Sequence, residues 1–309
     1  MKWVEKYDGD NQDGYGGEEH WLFLGGGQTY GLVLAGDNKE ETGDCGVYLY
    51  GTTVTDPQDR RMDLTQADPE LTQGDFWKWD ATEKTLTLKD GFFFNYVGTG
   101  PAILLPGGST VEVEGRAKVS SWGDGIFCAD GNSTLTILGD GLDDSLSILA
   151  QEDGVYGPGG SQVTVQNCNL GIRAEENGIH TYGLLVEDSY IYIESGDDGV
   201  ESFGTRDVVI DDSTVRIHAG DDGLDCSSDD VSIIVSGGEL YFNVNDCTLI
   251  AGQAVLTDVT YDLRGRYGWF FRLENEDDFV LPGLLCMYDR EGNKLYSGEW
   301  PENYDPFDV

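Results

Sequence analysis

Five acidic or amide side chains stand directly before a glycine and an aliphatic residue: Asp124-Gly125-Ile126, Asp153-Gly154-Val155, Asn177-Gly178-Ile179, Asp198-Gly199-Val200 and Asp222-Gly223-Leu224. Their glycines are 29, 24, 21 and 24 residues apart. Two anchors are Asp-Asp pairs, Asp197-Asp198 and Asp221-Asp222, and Asp225 follows closely. If the anchors pile above one another, Asp197, Asp198, Asp221 and Asp222 make an oxygen-rich corner where a divalent cation, Ca2+ by its preference for flexible oxygen ligands, bridges successive coils. The competing expectation is that each Asp ties down its own turn by accepting backbone N–H groups. One or the other is required, because carboxylates about 4.8 Å apart repel by roughly 1 kcal/mol in water and about 3.5 kcal/mol at an effective dielectric near 20.

A second chemistry sits just after the anchors. Outward positions there read Phe127, Tyr156, His180, Glu201 and Asp225, with Tyr182 and Phe203 two residues further on. Aromatic faces beside carboxylates stack on sugar rings while accepting hydroxyl hydrogen bonds, so this column is the expected carbohydrate surface; packing under a loop is its plainer reading. Catalysis is not expected. A lyase needs a poised base and a hydrolase needs paired carboxylates around a groove. The segment Gly220–Cys226 resembles the Asp-Asp signature of β-helix galacturonan hydrolases, but no Gly-His-Gly follows and His218 is the last histidine. If there is an active centre, Asp198, Asp221, Asp222 and Arg216 are its candidates. On the third side, the columns Arg173, Glu194, His218 and Tyr192, Arg216, Tyr241 read as neighbouring strands stabilising each other. The acidic loop Asp8–Gly14 fails as an EF-hand, since Gly9 and His20 fall where ligands are needed.

What must position these residues is a repeat. VTVQNCNLGIRAEENG (163–178) lies over VVIDDSTVRIHAGDDG (208–223) with apolar residues coinciding at alternate positions. Val163, Val165, Leu170 and Ile172 fall on Val208, Ile210, Val215 and Ile217, and on Leu184, Val186, Ile191 and Ile193 between them. Period-two alternation at constant phase puts one set of side chains in a continuous interior and the other in solvent. The sequence therefore predicts an all-β fold, a right-handed single-stranded parallel β-helix with three sides, in preference to a β-sandwich. Residues 1–74 are expected to be a strand-rich N-terminal cap region, 75–260 the β-helix and 261–309 a C-terminal cap that blunts the exposed strand edge.

Composition narrows the partners. With 58 acidic residues against 18 basic ones the formal charge is -40, which repels phosphate backbones, so nucleic acid is not an expected partner. No apolar run is long enough to span a bilayer as a helix. The six cysteines carry no C-x-x-C spacing and read mainly as buried small side chains. The start Met1-Lys2-Trp3 is no export signal, and an export signal trimmed from an extracellular or cell-surface protein is the expectation.

The run VYLYGTTVTDPQDRR, then GDFWKWDATEKTLTLKDG, the anchored coils and the phrase IIVSGGELYF resemble the secreted DG-repeat β-helix proteins of Gram-positive anaerobes known as carbohydrate-binding domain-containing proteins, within the pectate-lyase-like superfold. The similarity covers roughly residues 47–245. It implies an extracellular location and a glycan or cell-surface polysaccharide as partner, and it transfers no binding residues. Beside that reading stand a calcium-stabilised structural spacer and a polysaccharide lyase or glycoside hydrolase.

Overall fold

A computed structural model describes residues 77–89, 100–265 and 284–299 apart from 130, 158, 227 and 229, together with strands at Lys2–Glu5, His20–Phe23, Met62–Asp63, Gln73–Gly74, Phe92–Asn95, Phe270–Leu273 and Val280–Pro282. The loop Asp8–Gly14 lies outside the described residues. The chain is all-β, a parallel β-helix of about seven turns with no helix among the described residues. Three parallel sheets form its sides. The anchor face stacks Ile103–Leu105, Ile126–Cys128, Val155–Tyr156, Ile179–Thr181, Val200–Ser202, Leu224–Cys226 and Leu249–Ile250. The middle face stacks Thr110–Glu114, Thr134–Leu138, Gln162–Gln166, Leu184–Glu187, Val208–Asp211, Ser232–Ser236 and Gln253–Thr257. The return face stacks Arg116–Ser121, Ser145–Ala150, Asn169–Ala174, Tyr190–Ser195, Thr214–Ala219, Glu239–Val244 and Thr260–Arg264.

Register follows the apolar columns. Ile126, Val155, Ile179, Val200 and Leu224 are successive ladder partners, and each is at most 1 % exposed. Each such side chain removed from water contributes about 1.5–3 kcal/mol, which is how a hollow spiral with short strands offsets its ordering cost.

The anchor glycines have a packing reason. A Cβ at Gly154 would stand 2.3 Å from Ile172 Cγ2 and 2.6 Å from the Gly178 carbonyl oxygen, and Gly125, Gly178 and Gly199 repeat the geometry. Coils touch through backbone here, so only glycine fits. Between the middle and return faces the chain turns through a second column, Asn167, Asp188, Asp212, Gly237 and Asp258, all with φ between 42° and 69°. Asn, Asp and Gly tolerate that left-handed conformation.

At the N-terminal end Thr85–Lys89 pairs in parallel with Thr110–Glu114 and antiparallel with Trp77–Asp80, whose Trp77 and Trp79 close the core. At the other end Phe270–Leu273 adds a rung beside Leu249–Ile250 and is covered by antiparallel Val280–Pro282. Leu284–Tyr288 does the same for the middle face, with Lys294–Glu299 antiparallel to it. These hairpins leave fewer parallel edges open to a foreign strand.

Candidate functional site

The corner leading into the anchor face is a column of polar side chains, Asp124, Asp153, Asn177, Asp198 and Asp222, only 4 to 8 % exposed. They do not cap their own turns. Each accepts the backbone N–H of its counterpart one coil on: Asp153 N to Asp124 Oδ1 at 3.2 Å, Asn177 N to Asp153 Oδ1 at 2.9 Å, Asp198 N to Asn177 Oδ1 at 3.1 Å and Asp222 N to Asp198 Oδ1 at 2.9 Å. Cys247 N, at 2.6 Å from Asp222 Oδ1, ends the series. The within-turn expectation is thus corrected: the bonds run between coils, because a buried N–H must find an acceptor and the nearest one belongs to the previous rung. Asn177 can stand in an Asp position because the ladder needs only an acceptor oxygen.

Burial raises the carboxyls of Asp124, Asp198 and Asp222 far above their ordinary range. Asp124 and Asp222 rise to about 7 and Asp198 to about 9, with neighbouring carboxylates adding to the effect and the backbone N–H bonds opposing it. Bound protons therefore relieve much of the repulsion that the sequence implies.

Of the proposed metal ligands, Asp197, Asp198 and Asp221 each bring an oxygen within 4.8 Å of the others. Asp222 does not join them; its carboxylate gathers with Asp246 and Cys247, drawn there by the Cys247 N–H that its Oδ1 accepts. Three hard oxygens suit Ca2+ in kind, but Ca2+ takes six to eight, and Asp198 Oδ1 already accepts an N–H, so water would have to complete the shell.

The anchor-face column forms in the predicted register, Phe127 to Tyr156 to His180 to Glu201 to Asp225. Phe127 and Tyr156 stack with centroids 4.7 Å apart at 14°, and Tyr156 and His180 follow at 4.5 Å. Phe127 and Tyr156 thus cover one another's faces, and His180 meets Tyr156 at a tilt of 37°. His180 leans on Phe203 at 5.2 Å, and Phe203 on Tyr182 at 6.4 Å. Phe203 is 45 % exposed.

Carboxylates hold His180 from two sides, with Nδ1 3.4 Å from Asp153 Oδ2 and 3.2 Å from Glu201 Oε2. Burial pulls its pKa down, but the Asp153 hydrogen bond and the charges of Asp153, Glu201 and Asp124 outweigh burial and leave it raised. Glu201, raised by burial, also accepts Asn177 Nδ2 at 2.8 Å. Asp225, raised to about 7 chiefly by burial, has an Oδ1 buried without a hydrogen-bond partner among the described residues.

The remaining candidates separate from this cluster. Arg216 lies over the Tyr241 ring at 4.6 Å and the Tyr190 ring at 5.8 Å on the return face, while Arg173 pairs with Glu194 at 2.6 Å. Cys128, Cys168, Cys226, Cys247 and Cys286 are buried, and no disulfide joins them among the described residues. Burial pushes the Cys168 thiol up to about 12 and raises Cys226 and Cys247 as well, which keeps them from acting as thiolates.

Sequence reasoning missed the Ser relay beside the left-handed corner. Ser189 Oγ accepts Cys168 N at 3.3 Å and Ser213 Oγ accepts Ser189 N at 3.0 Å, while each hydroxyl donates to the carbonyl two residues back. Its signal was present, as Asn167-Cys168, Asp188-Ser189 and Asp212-Ser213 recur with the coil.

No protein-family model, curated protein or solved structure matches the chain. No helix among the described residues is long and apolar enough to cross a membrane.

Proposed function

We propose that the chain is a non-catalytic glycan-binding module, extracellular or at the cell surface, with its sugar-contact strip on the anchor face. The observation that carries this reading is Phe203, an exposed ring beside Tyr182, with Glu201 two residues away and Asp225 on the adjoining rung. A pyranose ring offers an apolar C–H face to such rings, and its hydroxyls can donate to the part-exposed carboxylates of Glu201 and Asp225. Phe127, Tyr156 and His180 act as the stacked spine that fixes the strip. Catalysis is left out because Arg216, the suspected cation, is engaged by tyrosines away from the carboxylates. A glycan array followed by calorimetry tests the proposal. Phe203→Ala should weaken the best binder at least about 10-fold, or ~1.4 kcal/mol, without lowering the melting temperature. Absence of any glycan signal for the wild-type chain would sink it.

A second reading, a calcium-stabilised spacer, is favoured by the convergence of Asp197, Asp198 and Asp221. It requires the melting temperature to rise with Ca2+ and fall with chelator, and Asp221→Asn to abolish the difference.

A further inference from the structure

Within the anchor-face strip the chain leaves negative charge without a counter-charge of its own. Glu201 and Asp225 are ladder partners, so their carboxyls project from adjoining rungs about 4.8 Å apart. The charges that act most on Asp225 are those of Asp222, Glu201, Asp221 and Asp197, all of them acidic. On Glu201 they are His180, then Asp153 and Asp197. His180 is already shared with Asp153, and both His180 Nδ1 and Asn177 Nδ2 address Oε2 of Glu201. Among the described residues no Lys or Arg forms an ion pair with either carboxylate. On the return face, by contrast, Glu194 meets Arg173 and Asp262 meets Arg264. The basic residue closest to the strip in sequence, Arg206, reaches away to Gln162 Oε1 at 3.4 Å.

We propose that this strip takes amino sugars, pyranoses that carry a free ammonium in place of a hydroxyl or an acetamide. The inference rests on the reading of the strip as a glycan site and names the class of sugar. Two features select that class together. Phe203 is 45 % exposed and stands beside Tyr182 at 6.4 Å, so the ligand must bring an apolar face, which a bare metal ion does not. Glu201 precedes Phe203 by two residues on the same outward side, about 6.6 Å along the chain, so one pyranose can lie on the ring with a substituent directed at the carboxylates. A hydroxyl there donates a hydrogen bond and leaves the repulsion between Glu201 and Asp225 as it was. An ammonium donates to several acceptors and offsets that repulsion, through charge-assisted bonds about twice as strong as neutral ones. The formal charge of -40 also gathers a polycationic glycan from solution, as it repels uronates and phosphates.

Calorimetry on the full chain at neutral pH, with glucosamine, N-acetylglucosamine and glucose oligosaccharides of equal length and the same linkage, isolates the substituent. The glucosamine oligomer should bind at least about 10-fold more tightly than the other two, and the margin should shrink with added sodium chloride. Phe203→Ala should weaken it by about 10-fold or more. Glu201→Gln and Asp225→Asn should each erase most of the preference while leaving the glucose oligomer unaffected. Asp140→Asn combined with Asp143→Asn removes exposed charge at the corner between the middle and return faces and should keep the preference. Equal or weaker affinity for the glucosamine oligomer, with all binding lost in Phe203→Ala, overturns the choice of amino sugars and leaves the glycan site standing; an array signal confined to neutral glycans does the same. A preference that survives both strip variants, or that the Asp140 and Asp143 pair diminishes as much, reports net charge alone and also overturns it. No binding of any oligomer, with a silent glycan array, overturns this inference and the glycan reading together.

Discussion

The corner column and the return face both stack polar side chains rung upon rung by the same register, in opposite surroundings. At the corner Asp198 is 6 % exposed and its oxygen serves the backbone of the next coil. On the return face Arg173 and Glu194 meet across adjacent strands with most of the arginine side chain in water. Water around the second pair supplies what each partner would lose, while nothing replaces an acceptor lost from the first. Burial, more than pairing, decides how much the fold depends on a charged residue.

Substitutions that differ only in which region they strike sharpen this contrast. The largest effect is expected at the backbone contact within the corner. In Gly199→Ala the new Cβ would lie 2.4 Å from Ile217 Cγ2 and 2.6 Å from the Gly223 oxygen. A clash of that kind should cost about 3 kcal/mol in urea unfolding. Gly171→Ala on the return face meets only Ser147 Oγ at 4.0 Å and should be neutral or slightly stabilising. Equal losses in the two variants would break the comparison.

Next in size is Asp198→Ala, which strands the Asp222 N–H. The expected loss is about 2 kcal/mol, whereas Asp198→Asn should lose less than half of that, as Asn177 already fills one rung.

Acidity offers a third measurement. Asp124, Asp222 and Asp225 sit at about 7 and Asp198 at about 9 in the folded chain, against an unfolded value near 3.9. The folded state thus binds more protons, so this contribution is complete below about pH 4 and is lost as pH rises toward about 9. His180, also raised, carries the same sign: its share is present below about pH 6.5 and is lost above it. The melting temperature should therefore increase from pH 8 to pH 5, and Asp198→Asn with Asp222→Asn should flatten the slope. A fall on acidification over that interval would mean that the corner carboxylates are ionised.

Smallest of all should be Arg216→Ala, a melting shift on the order of one degree from loss of its stacking on tyrosine. Arg173→Ala should be indistinguishable from wild type, since its ion pair is solvated.

Much of this arrangement is legible in the residues. Constant-phase alternation identified the three parallel sides and the register that puts Tyr156 beside His180, because a one-residue slip would have exposed every interior Val and Ile. The direction of the corner hydrogen bonds was not legible. Asp before Gly is compatible with capping its own turn or the next one, and the choice depends on which N–H the coil geometry leaves nearer. For the same reason the separation of Asp222 from Asp197, Asp198 and Asp221 was hidden, as identical spacing permits either orientation of a carboxylate.

The inter-coil bonds at the corner have a consequence for how such a chain can change its size. Each rung receives an acceptor from its predecessor and hands an equivalent one to its successor, as Asn177 does between Asp153 and Asp198. Removing one whole unit, or duplicating it, leaves every remaining junction with its complement. Genetic gain or loss of a unit can therefore lengthen or shorten the molecule in increments of about 4.8 Å without redesigning either end.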